Sequence, residues 1–258
     1  MYYQIALIGS GNVAWHLAPA LEAAGHTVRE IYSKNPKHAE QLVGRLYEAE
    51  VKSDLDFSES DSEIFIIAVS DSAISAIADS IILPEGAILV HTSGSTELSA
   101  LDYSSASYTG IFYPLQTFSK AREMSFDHVP ILLEADDDQV KKQLKDLAKS
   151  ISQQVYFVNT KDRKGLHVAA VFASNFTNHM IRIAEDIMRR QGLDFEMLKP
   201  LIIESISKSL EMGAANAQTG PARRNDLETM DKHYQFLQYN ESLANIYRQI
   251  SQDILDAY

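Results

Sequence analysis

The chain is 258 residues long, enough for one or two domains, and 45% of it is hydrophobic, as in ordinary globular proteins. Its formal net charge of −12 argues against nonspecific nucleic-acid binding and against docking on anionic membranes. Cysteine is absent, which excludes disulfides and thiolate sites, and no apolar run approaches the ~20 residues of a membrane span, so a cytoplasmic protein is expected.

Met1–Ile8 lacks the basic flank of a secretion signal. Its run Ile5–Ile8, closed by Gly9, reads as a buried parallel strand. A helix is predicted over Asn12–Ala24, then a strand at Thr27–Tyr32 and a helical stretch near His38–Leu46. Glu63–Val69 is a further buried strand, Ser72–Ile81 a short helix and Ala87–His91 another strand. Tyr108–Phe112 and Val129–Leu133 are strand candidates, Gln139–Ser150 is an amphipathic helix and Val155–Val158 a last strand. The alternation predicts an α/β fold, a doubly wound parallel sheet of the Rossmann kind with helices on both faces. Beyond Asn159 the strand signal ends. Helical runs are predicted at Lys164–Arg190, Phe195–Gly213, Asp226–Leu237 and Glu241–Ala257, with a loop at Gln218–Asn225. The expected division is a nucleotide-binding domain over 1–159 and an all-helical domain over 160–258. Apolar residues recur around several of the later helices, so that domain is expected to supply a homodimer interface.

Gly9-Ser10-Gly11-Asn12-Val13-Ala14 follows a strand and opens a helix, the setting that the dinucleotide fingerprint needs. Gly9 permits the tight turn, Gly11 lets the backbone approach a pyrophosphate, and Ala14 lets the helix pack on the sheet. The anion would sit on free amides at the helix N-terminus. The ribose-reading position after the second strand is Tyr32-Ser33-Lys34-Asn35, which has no acid. Ser33, Lys34 and Asn35 suit a 2′-phosphate, which favours NADP(H) over NAD(H), although the usual arginine is missing. Val69, Ser70 and Asp71 end the next strand and are candidates to line the cofactor; Asp71 or Ser72 equally suits a helix cap. Ser93, in His91-Thr92-Ser93-Gly94-Ser95, is a further cofactor candidate, or part of a turn in which Ser and Thr bond their own backbone.

Several segments together resemble a bacterial family of Rossmann-like proteins with a helical domain of unknown function, DUF2520. They are His91-Thr92-Ser93-Gly94-Ser95, Phe112–Phe118 (Phe-Tyr-Pro-Leu-Gln-Thr-Phe), Leu166–Phe176 (Leu-His-Val-Ala-Ala-Val-Phe-Ala-Ser-Asn-Phe) and Thr219–Asp226 (Thr-Gly-Pro-Ala-Arg-Arg-Asn-Asp). The N-terminal unit is also similar to that of pyrroline-5-carboxylate reductase and the F420-dependent NADP oxidoreductases. The resemblance implies a Rossmann domain, a helical domain like that of 6-phosphogluconate dehydrogenase, a dimer and an NADP oxidoreductase activity. It brings no substrate with it. Many of these proteins resemble His-Pro-Leu-Gln in the second segment, where this chain has Tyr113-Pro114-Leu115-Gln116, so a histidine acid is missing there.

Lys164, His167, Val171, Asn175 and Asn178 fall on one stripe of a helix at ~100° per residue. His167 is the candidate proton donor, because imidazole titrates near neutral pH. Asn175 is a candidate to orient a carbonyl, and Lys164 to hold a carboxylate or act as the acid. The same stripe also reads as a solvated face. Tyr113, Gln116, Asn178 and Arg223 are candidate substrate contacts. Arg223 lies in a donor-rich turn suited to an anion, next to Asn225, which with Glu228 has the form of a capping box. The other histidines have no metal-ligand spacing, so no metal is expected. Glu134–Asp138 reads as a strand exit and helix start, and Trp15 as packing. The expected function is an NADP(H)-dependent oxidoreductase acting on a C=O or C=N of a small polar, anionic substrate. The alternative is a non-catalytic NADP(H)-binding regulatory protein; a deazaflavin partner is a third reading without a diagnostic residue.

Overall fold

The computed structural model describes residues 2–258. The elements run β1 Gln4–Ile8, α1 Asn12–Ala23, β2 Thr27–Tyr32, α2 Pro36–Val43, β3 Glu50–Lys52, β4 Ile64–Ile67, α3 Ile74–Ser80 and β5 Ile88–His91. They continue with β6 Tyr108–Pro114, β7 Ile131–Ala135, α4 Asp138–Ile151, β8 Val155–Phe157 and α5 Thr160–Ala170. A wide π turn at Val171–Phe176 joins α5 to α6 Thr177–Arg190, followed by α7 Lys199–Met212, α8 Ala214–Ala217, α9 Leu227–Phe236 and α10 Glu241–Ala257.

The eight strands form one sheet in the order β3-β2-β1-β4-β5-β6-β7-β8. The first six give the doubly wound Rossmann arrangement, whose ligands lie beyond the strand carboxyl ends where the order reverses, between β1 and β4. β4 and, after Gln4, β1 are apolar because both faces are covered; Ile5–Ile8 and Ile64–Ile67 are fully buried. On one face Leu7, Ile66 and Val90 pack with Leu17 and Leu21 of α1 and Leu144 and Leu147 of α4. On the other, Ile8, Phe65, Ile67 and Leu89 pack with Phe57 and with Ile74 and Ala78 of α3.

Two features correct the sequence reading of the sheet. β7 runs antiparallel to β6, so the sheet is parallel only in part. The segment between β6 and β7, Leu115–Pro130, carries no crossover helix, so the chain returns along the same edge. β3 was not expected; three residues with charges at both ends, Glu50 and Lys52, give no apolar run to detect. α2 starts earlier than His38 because Asn35 caps it, accepting from the Lys37 amide, and Pro36 takes the first turn.

The compact units are residues 2–179, within Met1–His179, and Met180–Tyr258. The first unit thus extends beyond the residue-159 boundary expected from the sequence. The reason is Arg163 on α5, which is fully buried against the ends of β5 and β7. In the second unit α10 packs with α9 and the turns Ala222–Arg224 and Leu237–Tyr239, around an apolar cavity of about 300 Å³. Asn225 does not cap α9, as the sequence suggested. It takes a left-handed φ of 54°, and Asp226 is the cap, accepting from the Thr229 amide. Among the described residues no helix is long and apolar enough to cross a membrane.

Candidate active site

The turn after β1 is built for close approach. Gly9 has a φ of +118°, and a Cβ there would lie 2.3 Å from the Ala68 carbonyl oxygen, so only glycine fits. At Gly11 a Cβ would meet nothing nearer than the Ala68 carbonyl oxygen at 3.8 Å, an ordinary van der Waals contact. No side chain caps α1, whereas Asn35, Asp137 and Asn159 cap α2, α4 and α5. The first amides of α1 therefore face the groove without a protein acceptor. The Gly9 amide donates to Tyr32 O at 2.8 Å and the Ser10 hydroxyl donates to Ser33 Oγ at 2.9 Å, which ties the glycine turn to the turn after β2.

These turns border a groove of about 830 Å³. Of the residues expected at the cofactor, Gly9–Val13, Ser33, Lys34, Val69 and Ser70 line this groove. His38 and Lys120 line it too, and sequence reasoning missed both. His38 stands in the first turn of α2, just after the turn that carries Ser33 and Lys34, a place legible only once α2 is known to start at Pro36. Asn35 is engaged as the α2 cap and does not line the groove. Asp71 turns instead toward the next strand end, where it accepts from the Ser95 hydroxyl.

A second pocket, of about 280 Å³, is lined by Tyr113, Gln116, His167 and Asn175 together with small and apolar residues. Tyr113 Oη lies 2.9 Å from His167 Nδ1, with the rings edge-on at 5.9 Å. Gly94 lies directly beneath the pair: a Cβ there would come within 2.5 Å of His167 Nδ1 and 2.6 Å of Tyr113 Cζ. Burial pushes the Tyr113 hydroxyl above its usual range; the Asp71 charge adds to the rise and Arg163 opposes it.

Ser93 is absorbed within its own turn, its Oγ accepting from the Ser95 and Thr96 amides and donating to Thr96 Oγ1. Its carbonyl and that of Gly94 accept from the Arg163 guanidinium at 3.0 and 3.1 Å. The other edge of Arg163 meets Glu134 Oε2 at 3.3 Å, and Thr160 donates to the remaining oxygen of that carboxylate. Desolvation lowers the Arg163 pKa and Glu134 offsets it. His91, buried under this turn, accepts the Ser93 amide on Nδ1 and donates from Nε2 to Glu97 O. Its pKa is lowered to about 4, mainly by burial.

Lys164 does not line the His167 pocket; its ammonium pairs with Glu97 at 2.6 Å. Asn178 is exposed and lies outside that pocket as well. Asn178 leaves the stripe after the π turn at Val171–Phe176, whose extra residues per turn rotate the following face. Arg223 belongs to the second unit, where its guanidinium stacks 4.5 Å over the Tyr258 ring. No cluster of three metal-ligating side chains occurs among the described residues.

Residues 4–94 match the family model for NADP oxidoreductase, coenzyme F420-dependent, and residues 129–254 match the domain of unknown function DUF2520. A search among curated proteins finds no match. The solved structures include a presumed NADP oxidoreductase from Bacteroides fragilis, 35% identical, with a TM-score of 0.91 over 98% of both chains. A Thermotoga maritima protein is 22% identical with a TM-score of 0.69, covering 98% of this chain and 97% of its own. Pyrroline carboxylate reductase from Plasmodium falciparum, solved with NADP bound, is 13% identical with a TM-score of 0.58, over 98% of this chain and 99% of its own. The last two likenesses concern the fold alone, but the first spans nearly all of both sequences: the chain belongs to the DUF2520 family of Rossmann-like oxidoreductases.

Proposed function

We propose that the protein is an NADP(H)-dependent oxidoreductase that moves hydride between the cofactor and a C=O or C=N carbon of a small polar substrate held beside His167. The reading rests on one observation above the others, the Tyr113–His167 hydrogen bond in a pocket that Gln116 and Asn175 also line. The groove fits a dinucleotide: the N-terminus of α1 is uncapped, and Gly11 lines the groove without a side chain. Gly9, Ser10, Gly11, Asn12 and Val13 would hold the pyrophosphate, with Val69 and Ser70 along the opposite wall. Ser33, Lys34 and His38 would hold a 2′-phosphate, which favours NADP(H). The relatives named for NADP point the same way.

A bound nicotinamide supplies or takes up the hydride at its C4. The protein's part is the proton. Protonated His167 donates one ring N–H to Tyr113 Oη and gives the other proton to the substrate oxygen or nitrogen as hydride reaches the carbon. Tyr113 keeps its own proton, since burial raises its pKa, and serves as a neutral acceptor that fixes the ring. Gln116 and Asn175 orient the polar end of the substrate. No Lys or Arg lines the pocket, so His167 is the one basic side chain among the lining residues to offset a negative charge on the substrate.

The test is a panel of keto acids, imino acids and aldehydes with NADPH, followed at the nicotinamide absorbance. One class is expected to turn over, and His167→Ala to slow it by ~100-fold or more while leaving NADPH affinity unchanged. Tight NADPH binding with no turnover on the whole panel would instead favour a non-catalytic nucleotide-binding protein. We also propose a homodimer. α7 has no buried residue, and Leu201, Ile203 and Leu210 are 61%, 65% and 83% exposed, more apolar surface than a lone soluble chain usually leaves uncovered. Sedimentation equilibrium checks it; a monomer at micromolar concentration would refute it.

A further inference from the structure

The Leu115–Pro130 segment brings a cation to the groove from far along the chain. Lys120 lines the groove that the glycine turn, Lys34 and His38 also line. Its ammonium stands 4.6 Å from the centroid of the Trp15 ring, on the first turns of α1. No carboxylate pairs with Lys120 among the described residues. Arg45, the other cation on Trp15, lies 4.4 Å from the ring. Arg45 is committed elsewhere: Pro19 lacks the amide that would bond Trp15 O inside α1, and Arg45 donates to that carbonyl at 2.7 Å.

The backbone beside Lys120 is pinned to the same helix. Buried His16 donates Nε2–H to Ser119 O at 2.9 Å, and Arg122 N donates to that carbonyl at 3.1 Å. Phe118 stacks on His16 at 5.7 Å and meets buried Phe126 at 5.7 Å. An exposed lysine on an unanchored loop is a solvated charge. A lysine whose neighbour is fixed to α1, next to an uncapped N-terminus, is a fixed donor aimed at the same space.

We propose that Lys120 binds a phosphate of the dinucleotide, completing from the β6–β7 segment a site that the fingerprint begins. The proposal rests on the groove being the nucleotide site. Trp15 serves as the platform on which the lysine ammonium rests; it is the only tryptophan of the chain and reports on its surroundings by its emission.

Lys120→Ala and Lys120→Arg are titrated with NADPH and with NADH by calorimetry, alongside the unaltered chain, and Trp15 emission is recorded with and without nucleotide. Lys120→Ala is expected to bind about tenfold more weakly, with a shallower dependence on salt, and Lys120→Arg to keep most of the affinity. Equal losses for both nucleotides assign the lysine to the pyrophosphate; a loss confined to NADPH assigns it to the 2′-phosphate. Folded Lys120→Ala that binds both nucleotides as tightly as the unaltered chain overturns the proposal. If the unaltered chain binds neither nucleotide, the reading of the groove falls and this proposal with it.

Discussion

The glycine turn and the His167 pocket belong to the same compact unit but are made in different ways. The first is six consecutive residues whose useful groups are backbone amides, and its shape follows from where glycine is allowed. The second is assembled from the end of β6, the turn after β5 and the α5–π helix. Its useful groups are side chains, and its shape follows from a buried ion pair that holds the turn in place. A backbone site carries its own geometry. A side-chain site borrows its geometry from what lies beneath it, so it is easier to break from outside.

The largest expected effect breaks the second site and spares the first. Arg163→Met leaves Glu134 Oε2 and the Ser93 and Gly94 carbonyls without the guanidinium that donates to them. Removing one partner of a buried pair costs ~4 kcal/mol, and Arg163→Met with Glu134→Gln is expected to regain part of it. Urea unfolding measures both. NADPH affinity is expected to survive in whatever remains folded; a parallel loss of nucleotide binding would show that the two sites are not independent.

The glycine turn is broken next, and in two separable ways. Gly9→Ala places a methyl group against the Ala68 carbonyl at a φ unfavourable for alanine, for a loss of ~3 kcal/mol. Gly11→Ala meets no protein atom closer than 3.8 Å, so the fold is expected to be kept within ~1 kcal/mol while nucleotide binding falls. Thermal melts and NADPH titration on the two variants separate the effects. If both lose stability alike, the space over Gly11 is not a ligand cradle.

The same contrast explains what could be read in advance. The glycine turn, the apolar strands around it and the helical second half are local patterns, written in glycine placement, apolar runs and helical spacing. His167, Asn175, Tyr113 and Gln116 were singled out by residue type, and the fold brings them to one pocket. Their support was invisible. Arg163 looks like an ordinary charge on the first turns of a helix, and Glu134 looks like one of several acids leaving a strand. Nothing in either neighbourhood says that they meet. The antiparallel β7 hides for a related reason, since an apolar run gives no direction. Lys120 is invisible as well, because its place depends on a contact between Ser119 and His16, far apart in the chain.

The smallest effect sharpens the comparison by acid. His91 lies under the turn that supports the His167 pocket, neutral and bonded at both nitrogens. Its folded-state pKa of about 4 is below the 6.5 of a free imidazole, chiefly through burial, with Arg163 adding to the fall and the Glu97 carbonyl and Asp71 opposing it. Between those values the unfolded chain binds the extra proton, so unfolding gains as pH drops. The stability that His91 contributes is therefore fully present above pH ~6.5 and is lost as pH falls toward ~4. From neutral pH to about pH 5 the loss is ~2 kcal/mol, and His91→Gln, which has no such proton to bind, is expected to flatten that part of the profile. Melting temperatures of the two proteins across this range measure the difference. Because the proton enters beneath the Ser93–Gly94 turn, amide protection there, taken relative to the intrinsic exchange rate at each pH, is expected to fall on acidification before protection around Gly9 and Gly11 does. Equal loss of protection at both turns would mean that acid opens the whole unit, and that the side-chain site is no more fragile than the backbone one.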